Sequence, residues 1–215
     1  MHSWWYKHLQ NLGPGPVGLM ADSHGDIDAI GRALVCLRRH GCGRIVHLGD
    51  ICDSTRPATA AACRAALTAD AVLAVCGNND RALVTAGPGL DGPDAGTLAW
   101  LARLPMIIDA PSALFTHSRP DVARLGASAL IGDMDDNAAL RFLLDFPGRL
   151  LFRGHSHAAS IRCLSGKRLI RLAPPPAGGP DCPLAGGAVI TCGHLADGSV
   201  WAWNLQASTL RRLSI

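Results

Sequence analysis

The sequence has no run of lysine or arginine, no C-x-x-C pair, no internal repeat and no apolar stretch as long as a membrane span. Each absence removes a class of function. With a formal net charge of only +3 and no basic stripe, nothing here would track a phosphodiester backbone, so nucleic acid is not an expected partner. The eight cysteines are Cys36, Cys42, Cys52, Cys63, Cys76, Cys163, Cys182 and Cys192, and no spacing among them suits a structural zinc site or a redox dithiol. A membrane span needs roughly 20 apolar residues, so no membrane association is expected. Residues 1–13, despite Trp4, Trp5 and Tyr6, lack the apolar core of a signal peptide. The expected setting is a reducing cytoplasm with the cysteines as buried thiols. Cys52 and Cys76 lie close to candidate ligands in sequence, but thiolate ligation is not the expectation.

What is present is enough apolar material for a core: 48% of the 215 residues are hydrophobic, which argues against disorder and for one domain. Residues 1–13 read as an extension that packs on the body or frays, and 14–215 as the domain. Strands are predicted at 16–20, 44–48 and 71–76, and helices at 26–40, where Ile27, Ile30, Ala33, Leu34 and Leu37 recur at helical spacing, and at 54–67. Gly41 is a plausible C-terminal cap and Pro57 a helix start. A loop at 87–96 precedes a short helix at 98–104. Strands follow at 106–109 and 113–116, then a largely irregular stretch over 119–136, a helix at 137–144 and a strand at 150–153. Beyond residue 157 come strands at 160–164, 167–172, 188–192 and 199–205, with turns at Ser165-Gly166 and Asp197-Gly198. These last strands read as a second, mainly antiparallel sheet packed on the first.

Chemistry-bearing motifs follow the short apolar runs: Asp22-Ser23-His24, Gly49-Asp50, Gly77-Asn78-Asn79-Asp80, Thr116-His117 and Gly154-His155-Ser156-His157. Residues two apart on an extended strand end aim to one side, which pairs Asp22 with His24 and His155 with His157. Gly49, Gly77 and Gly154 permit tight turns that expose the next side chain. Carboxylate, imidazole and amide oxygen are the donors a divalent ion takes. Asp50 has two oxygens with which to bridge two ions, and Asn78 adds a neutral donor. The set describes a two-metal site suited to attack on phosphorus. It accommodates manganese, iron, zinc or nickel, with manganese the first expectation.

In this order the motifs resemble those of the calcineurin-like metallophosphoesterases, most closely their small single-domain bacterial and archaeal branch, over about residues 17–161. The resemblance implies an α/β fold, a four-layer αββα sandwich of two mixed sheets flanked by helices. It implies that Asp22, His24, Asp50 and His157 hold a first metal, and that Asp50, Asn78, His117 and His155 hold a second. The nucleophile it implies is a hydroxide bridging the two ions, with Asp50, Asn78, Asn79 and His117 as the catalytic set and a small phosphoester as substrate.

The chain departs from the family pattern in three places. Asn79 stands where the family usually has a histidine that orients phosphate or protonates the leaving oxygen; an amide hydrogen-bonds but is no general acid near neutral pH. Ala173-Pro174-Pro175-Pro176 replaces an Asn-Pro-Gly-Ser run, and Ser118 replaces a glycine. The Asn79 change favours a phosphodiesterase acting on a small phosphorylated metabolite or nucleotide over a phosphomonoesterase or protein phosphatase. The remaining alternative is a non-catalytic protein-binding scaffold, a use of this fold in the retromer coat complex; a homo-oligomer is compatible with either. Outside the motifs, His47 reads as a packed histidine and Asp80 as a local structural group. Asp53 and Arg56 read as loop-capping, Arg81 and Arg119 as exposed arginines that need no function, with contact to phosphate as the alternative, and His2, His8, His40 and His194 as incidental.

Overall fold

The computed structural model describes residues 5–89 and 92–215. His2 and Trp4 therefore lie outside the described residues, as do residues 90 and 91 of the predicted 87–96 loop. The strands are β1 (Tyr6–His8), β2 (Val17–Met20), β3 (Arg44–His47), β4 (Leu73–Ala74), β5 (Ile107–Ala110), β6 (Ala113–Thr116), β7 (Leu150–Arg153), β8 (Ser160–Ser165), β9 (Arg168–Leu172), β10 (Cys182–Pro183), β11 (Ala188–Thr191), β12 (Ser199–Asn204) and β13 (Thr209–Ser214). The helices are α1 (Ile27–Arg39), α2 (Ala60–Ala69), α3 (Asn78–Ala86), α4 (Ala95–Ala102), α5 (Val122–Leu125) and α6 (Asp136–Asp145).

Two mixed sheets form, of seven strands in the order β1-β5-β6-β7-β11-β8-β9 and of six in the order β10-β13-β12-β2-β3-β4. Period-2 alternation decides how they stack. Val17, Leu19, Val46, Trp201 and Trp203 of the six-stranded sheet share one buried cluster with Ile108, Phe115, Phe152 and Ile190 of the seven-stranded sheet. Their sequence neighbours Met20, Ile45, Val200, Ile107, Leu151 and Val189 belong to a second cluster with the helices. α1 lies on the outer face of the six-stranded sheet, where a Cβ at Gly18 would come within 2.9 Å of Leu37. α6 covers the outer face of the other sheet, over β8, β9 and β11. The result is the expected αββα sandwich.

The C-terminal strands correct one expectation. They do not make a sheet of their own: β8, β9 and β11 extend the sheet of β5–β7, and β12, β13 and β10 extend the sheet of β2–β4. The reason is burial. All four residues of β11 are buried, so it needs cover on both faces and inserts between β7 and β8 rather than standing at an edge. β12 pairs with β2 and sends Trp201 and Trp203 between the sheets.

Helix starts follow their caps. Asp26, Asp94 and Asp135 accept from Ala29 N at 2.8 Å, Thr97 N at 2.9 Å and Ala138 N at 2.7 Å, and Asp94 accordingly begins α4 earlier than predicted. α2 begins later than predicted, because Asp53 binds Thr55 N at 2.8 Å and holds residues 53–56 as a loop. β1 pairs in parallel with β5, so the N-terminal extension packs where it is described.

The aromatic contacts between the sheets give a test. Trp203 stands 5.1 Å from Phe152 and 6.5 Å from Phe115, ring centre to ring centre. Trp203→Ala opens a cavity at that point and is expected to cost about 3–5 kcal/mol of unfolding free energy. Urea unfolding measures this, and a loss under about 1 kcal/mol would contradict the packing described.

Candidate metal centre

The loops that leave β2, β3, β4, β6 and β7 meet at one edge of the sandwich and bind one another. Asp22 N donates to Gly49 O (3.1 Å), His24 N to Asp50 O (3.0 Å) and Gly154 N to His117 O (3.0 Å). All seven candidate ligands come together there. Asp22, His24 and His157 form one group, and Asp22, Asp50 and His117 an adjoining one, with ligand atoms within 4.8 Å of one another in each. His24 Nε2 is 3.0 Å from His157 Nε2, and His157 Nε2 is 3.6 Å from Asp22 Oδ1. Asn78 Oδ1 lies 3.0 Å from both His117 Nε2 and His155 Nδ1, which are themselves 3.1 Å apart. Asp22 is the residue the two groups share, and Asp50 reaches toward both histidines, with Oδ1 3.5 Å from His117 Nε2 and Oδ2 3.9 Å from His24 Nε2. Asp22, Asp50 and His117 are buried; His24 and His157 face the opening.

The donors converge as acceptors. His117 Nδ1 lies 2.9 Å from Leu48 O, a group that only accepts, so the ring proton is on Nδ1 and Nε2 carries a bare lone pair. That lone pair faces the carbonyl oxygen of Asn78, which is also an acceptor. In the neutral ring this sets two acceptors face to face, an arrangement that a cation between them would satisfy. Adjacent ligands of one ion at roughly 2.1 Å stand roughly 3 Å apart, which is the spacing of Asn78, His117 and His155. Burial, with His117 and Arg153 adding to it, lowers the His155 pKa and keeps that ring a neutral donor. The hydrogen bond to Asp22 raises that of His157. The residues present therefore fit divalent metal.

Backbone strain marks the same place. Among the described residues seven non-glycine residues have positive φ, and five are candidate ligands: Asp22 (+52°), His24 (+46°), Asp50 (+52°), His155 (+70°) and His157 (+57°). Such conformations cost about 1–3 kcal/mol each and cluster where side chains are aimed for function. The glycines serve differently from the tight turns expected. Only Gly49 of the three has positive φ (+86°). Gly77 and Gly154 are required by close approach, since a Cβ would collide with Asp50 at the first and with the Asp22 carboxylate at the second.

Neighbouring residues hold the ligands. Asp80 is buried and accepts from Gly77 N (2.9 Å), Cys52 N (3.0 Å) and Ile51 N (3.3 Å), which pins the Asp50 loop to the start of α3. Burial and the adjacent Asp50 charge raise its pKa. Asn79 N and Nδ2 each donate to Asp50 at 2.8 Å, while its Oδ1 accepts from Ser54 Oγ at 2.7 Å. Both ends of the amide are thus engaged by the protein. Ser23 Oγ donates to Ile51 O at 3.0 Å and accepts from His47 Nε2 at 2.9 Å. His47 itself is fully buried, and burial with the nearby His117 and His24 takes its pKa down to about 3. Burial pushes the Cys52 and Cys76 thiols well up, which keeps both protonated and leaves them poor ligands.

Some peripheral expectations change. Arg119 is turned away onto Asp121 (3.1 and 3.0 Å) and lines a cavity to which none of the seven ligands contributes. Arg56 bridges Asp53 (2.8 Å) and His24 O (2.8 Å), tying its loop to the site. His194 is not incidental: its ring lies 4.7 Å from that of His157, with Nε2 3.1 Å from Asp197. No sequence motif flagged it. The helix α3 was also missed, although Asp80, three residues after Gly77, is a helix-start signal.

Solved structures share this fold. A metallophosphoesterase from Sphaerobacter thermophilus is 18% identical, with a TM-score of 0.64 over 94% of this chain and 88% of that one. A proposed diadenosine tetraphosphatase is 17% identical, with a TM-score of 0.60 over 97% of each chain. An archaeal phosphodiesterase is 11% identical, with a TM-score of 0.50 over 94% of this chain and all of that one. At these identities the likeness is one of fold. No curated protein matches the chain in sequence. The family model of the calcineurin-like phosphoesterase superfamily domain, however, matches residues 16–183, well over half of the 215, and the chain belongs to that superfamily.

Proposed function

We propose that the chain is a metal-dependent phosphoesterase with a binuclear centre, and that its preferred substrates are phosphodiesters or esters of acidic alcohols among small phosphorylated metabolites or nucleotides. In this reading Asp22, His24, Asp50 and His157 hold one divalent ion, and Asp50, Asn78, His117 and His155 the other. Such ions lower the pKa of a coordinated water and neutralise charge on phosphoryl oxygens. The protein's own part is to keep His155 neutral, to aim His117 through Leu48 O, and to hold Asp50 in place through Asn79.

The observation that carries the diester preference is the state of Asn79. It replaces the residue that would protonate a leaving oxygen, and its amide is already committed to Asp50 and Ser54. A leaving group that departs unprotonated is then favoured. No helix among the described residues is long and apolar enough to cross a membrane.

Two measurements test this. Turnover of a chromogenic aryl diester with added manganese is expected to vanish with chelator and to fall at least about a hundredfold in Asp50→Ala, beyond the 10–100-fold typical of residues that only support a ligand. A metal-loaded protein with no turnover on a broad panel, including dinucleoside polyphosphates, would favour the scaffold instead. In the second measurement, Asn79→His is expected to raise the rate on an alkyl monoester relative to a matched diester by about tenfold or more, since a general acid contributes about 10²–10⁴-fold. An unchanged ratio, or a wild type faster on a sugar monophosphate than on the diester, counts against the preference.

A further inference from the structure

Arg153 ends β7, directly before Gly154-His155, and is 1% exposed. Burying a guanidinium costs several kcal/mol, and well-packed apolar groups often serve stability as well. Its contacts give it a different use. Nε donates to Ser118 O at 2.9 Å, fixing the residue after His117. Nη1 donates to Ser156 Oγ at 2.9 Å and to Thr191 Oγ1 at 3.2 Å, and Nη2 to Asp133 Oδ1 at 3.0 Å. The Ser156 hydroxyl has one proton and gives it to Asp133 Oδ1 at 2.8 Å, so toward Arg153 it is the acceptor. Ser118 Oγ in turn donates to Gly132 O.

Ser156 sits between His155 and His157, both in strained left-handed backbone. A residue fixed from two sides by a cation and a carboxylate is the over-determination such strain requires. We propose that Arg153, Asp133 and Ser156 form a positioning clamp that holds the loops after β6 and β7 in register, so that His117, His155 and His157 present their nitrogens together. Arg153 acts through these loops and touches no reacting atom. The planar fork is essential, because a lysine offers one compact charge and cannot reach Ser118, Ser156, Thr191 and Asp133 at once.

This inference rests on the metal-centre reading, and calorimetric titration of the metal-free protein with manganese separates the two. The Asp133 side chain is 68% exposed, but it is the carboxylate paired with the buried Arg153, so its truncation leaves that charge unpaired, whereas Ser156→Ala removes only a neutral hydroxyl. Ser156→Ala is expected to weaken manganese binding about 10–100-fold, with the Tm of the metal-free protein within about 3 °C of wild type, and Asp133→Ala to weaken it at least as much while also lowering the Tm. The double variant is expected to bind no more weakly than the poorer single one, since both remove one unit. Arg153→Lys is expected to fall with them. If wild type binds manganese and Ser156→Ala matches it, or loses affinity only in step with a falling Tm, the clamp is overturned and the metal centre stands. If wild type binds no divalent ion, both fall.

Discussion

The structure is organised around an unfavourable convergence. Three candidate metal-donor atoms, Asn78 Oδ1, His117 Nε2 and His155 Nδ1, stand 3.0–3.1 Å apart, two carboxylates lie beside them, and five of the contributing residues sit in left-handed backbone. None of this is favourable locally. The Asp22 and Asp50 carboxylates are crowded in a medium of low dielectric, where like charges repel, and each left-handed residue adds strain. The arrangement persists because hydrogen bonds from outside it leave few alternatives: Leu48 O sets the His117 tautomer, Asp80 pins the Asp50 loop, and His155 N binds the Asp22 carboxylate at 3.0–3.1 Å. A cation would remove the repulsion, so the protein carries beforehand the cost of shaping the site.

Much of this was legible in the sequence, for a physical reason. The ligand types stand in short motifs just past apolar runs, so Asp22, His24, His155 and His157 could be picked out without coordinates. The extended-strand reason for pairing them does not hold, because all four lie beyond β2 and β7 in left-handed backbone, and His155 and His157 face different partners. The buried strands were likewise visible as short apolar runs. The supporting residues were not. Arg153 looks like the polar end of a strand, Asp133 like one aspartate among several in a loop, and His194 like a stray histidine. Each gains its role from a partner 20 or more residues away, and a spacing rule carries no information at that range. The partition of the C-terminal strands was hidden for a related reason: alternation shows which residues are buried, but not which of two sheets buries them. Asn79 lies between these cases. Its departure from the family pattern was plain, whereas its hold on Asp50 and Ser54 required the fold.

The site also depends on how the two sheets pack. Asp22, His24 and Asp50 leave the six-stranded sheet, whereas His117, His155 and His157 leave the seven-stranded one, so each close contact between these groups crosses the sandwich. Their separation is set by the side chains that fill the interior. Phe115 and Phe152 stand two residues before His117 and Gly154 on the same strands, and both pack on Trp203 of the opposite sheet. Trp201 Nε1 adds a direct tie across the sheets, donating at 2.8 Å to Cys192 O at the end of β11, two residues from His194. Close-packed interiors transmit displacement rather than absorb it. A change in the thickness of this aromatic layer would therefore move the histidines from one sheet relative to the carboxylates from the other. Spacings near 3 Å leave little room for that movement before a shared ion is lost. The apolar core and the edge that carries the candidate ligands are in this sense one mechanical unit, and the large aromatic residues of β6, β7 and β12 bear on the geometry of that edge without touching it.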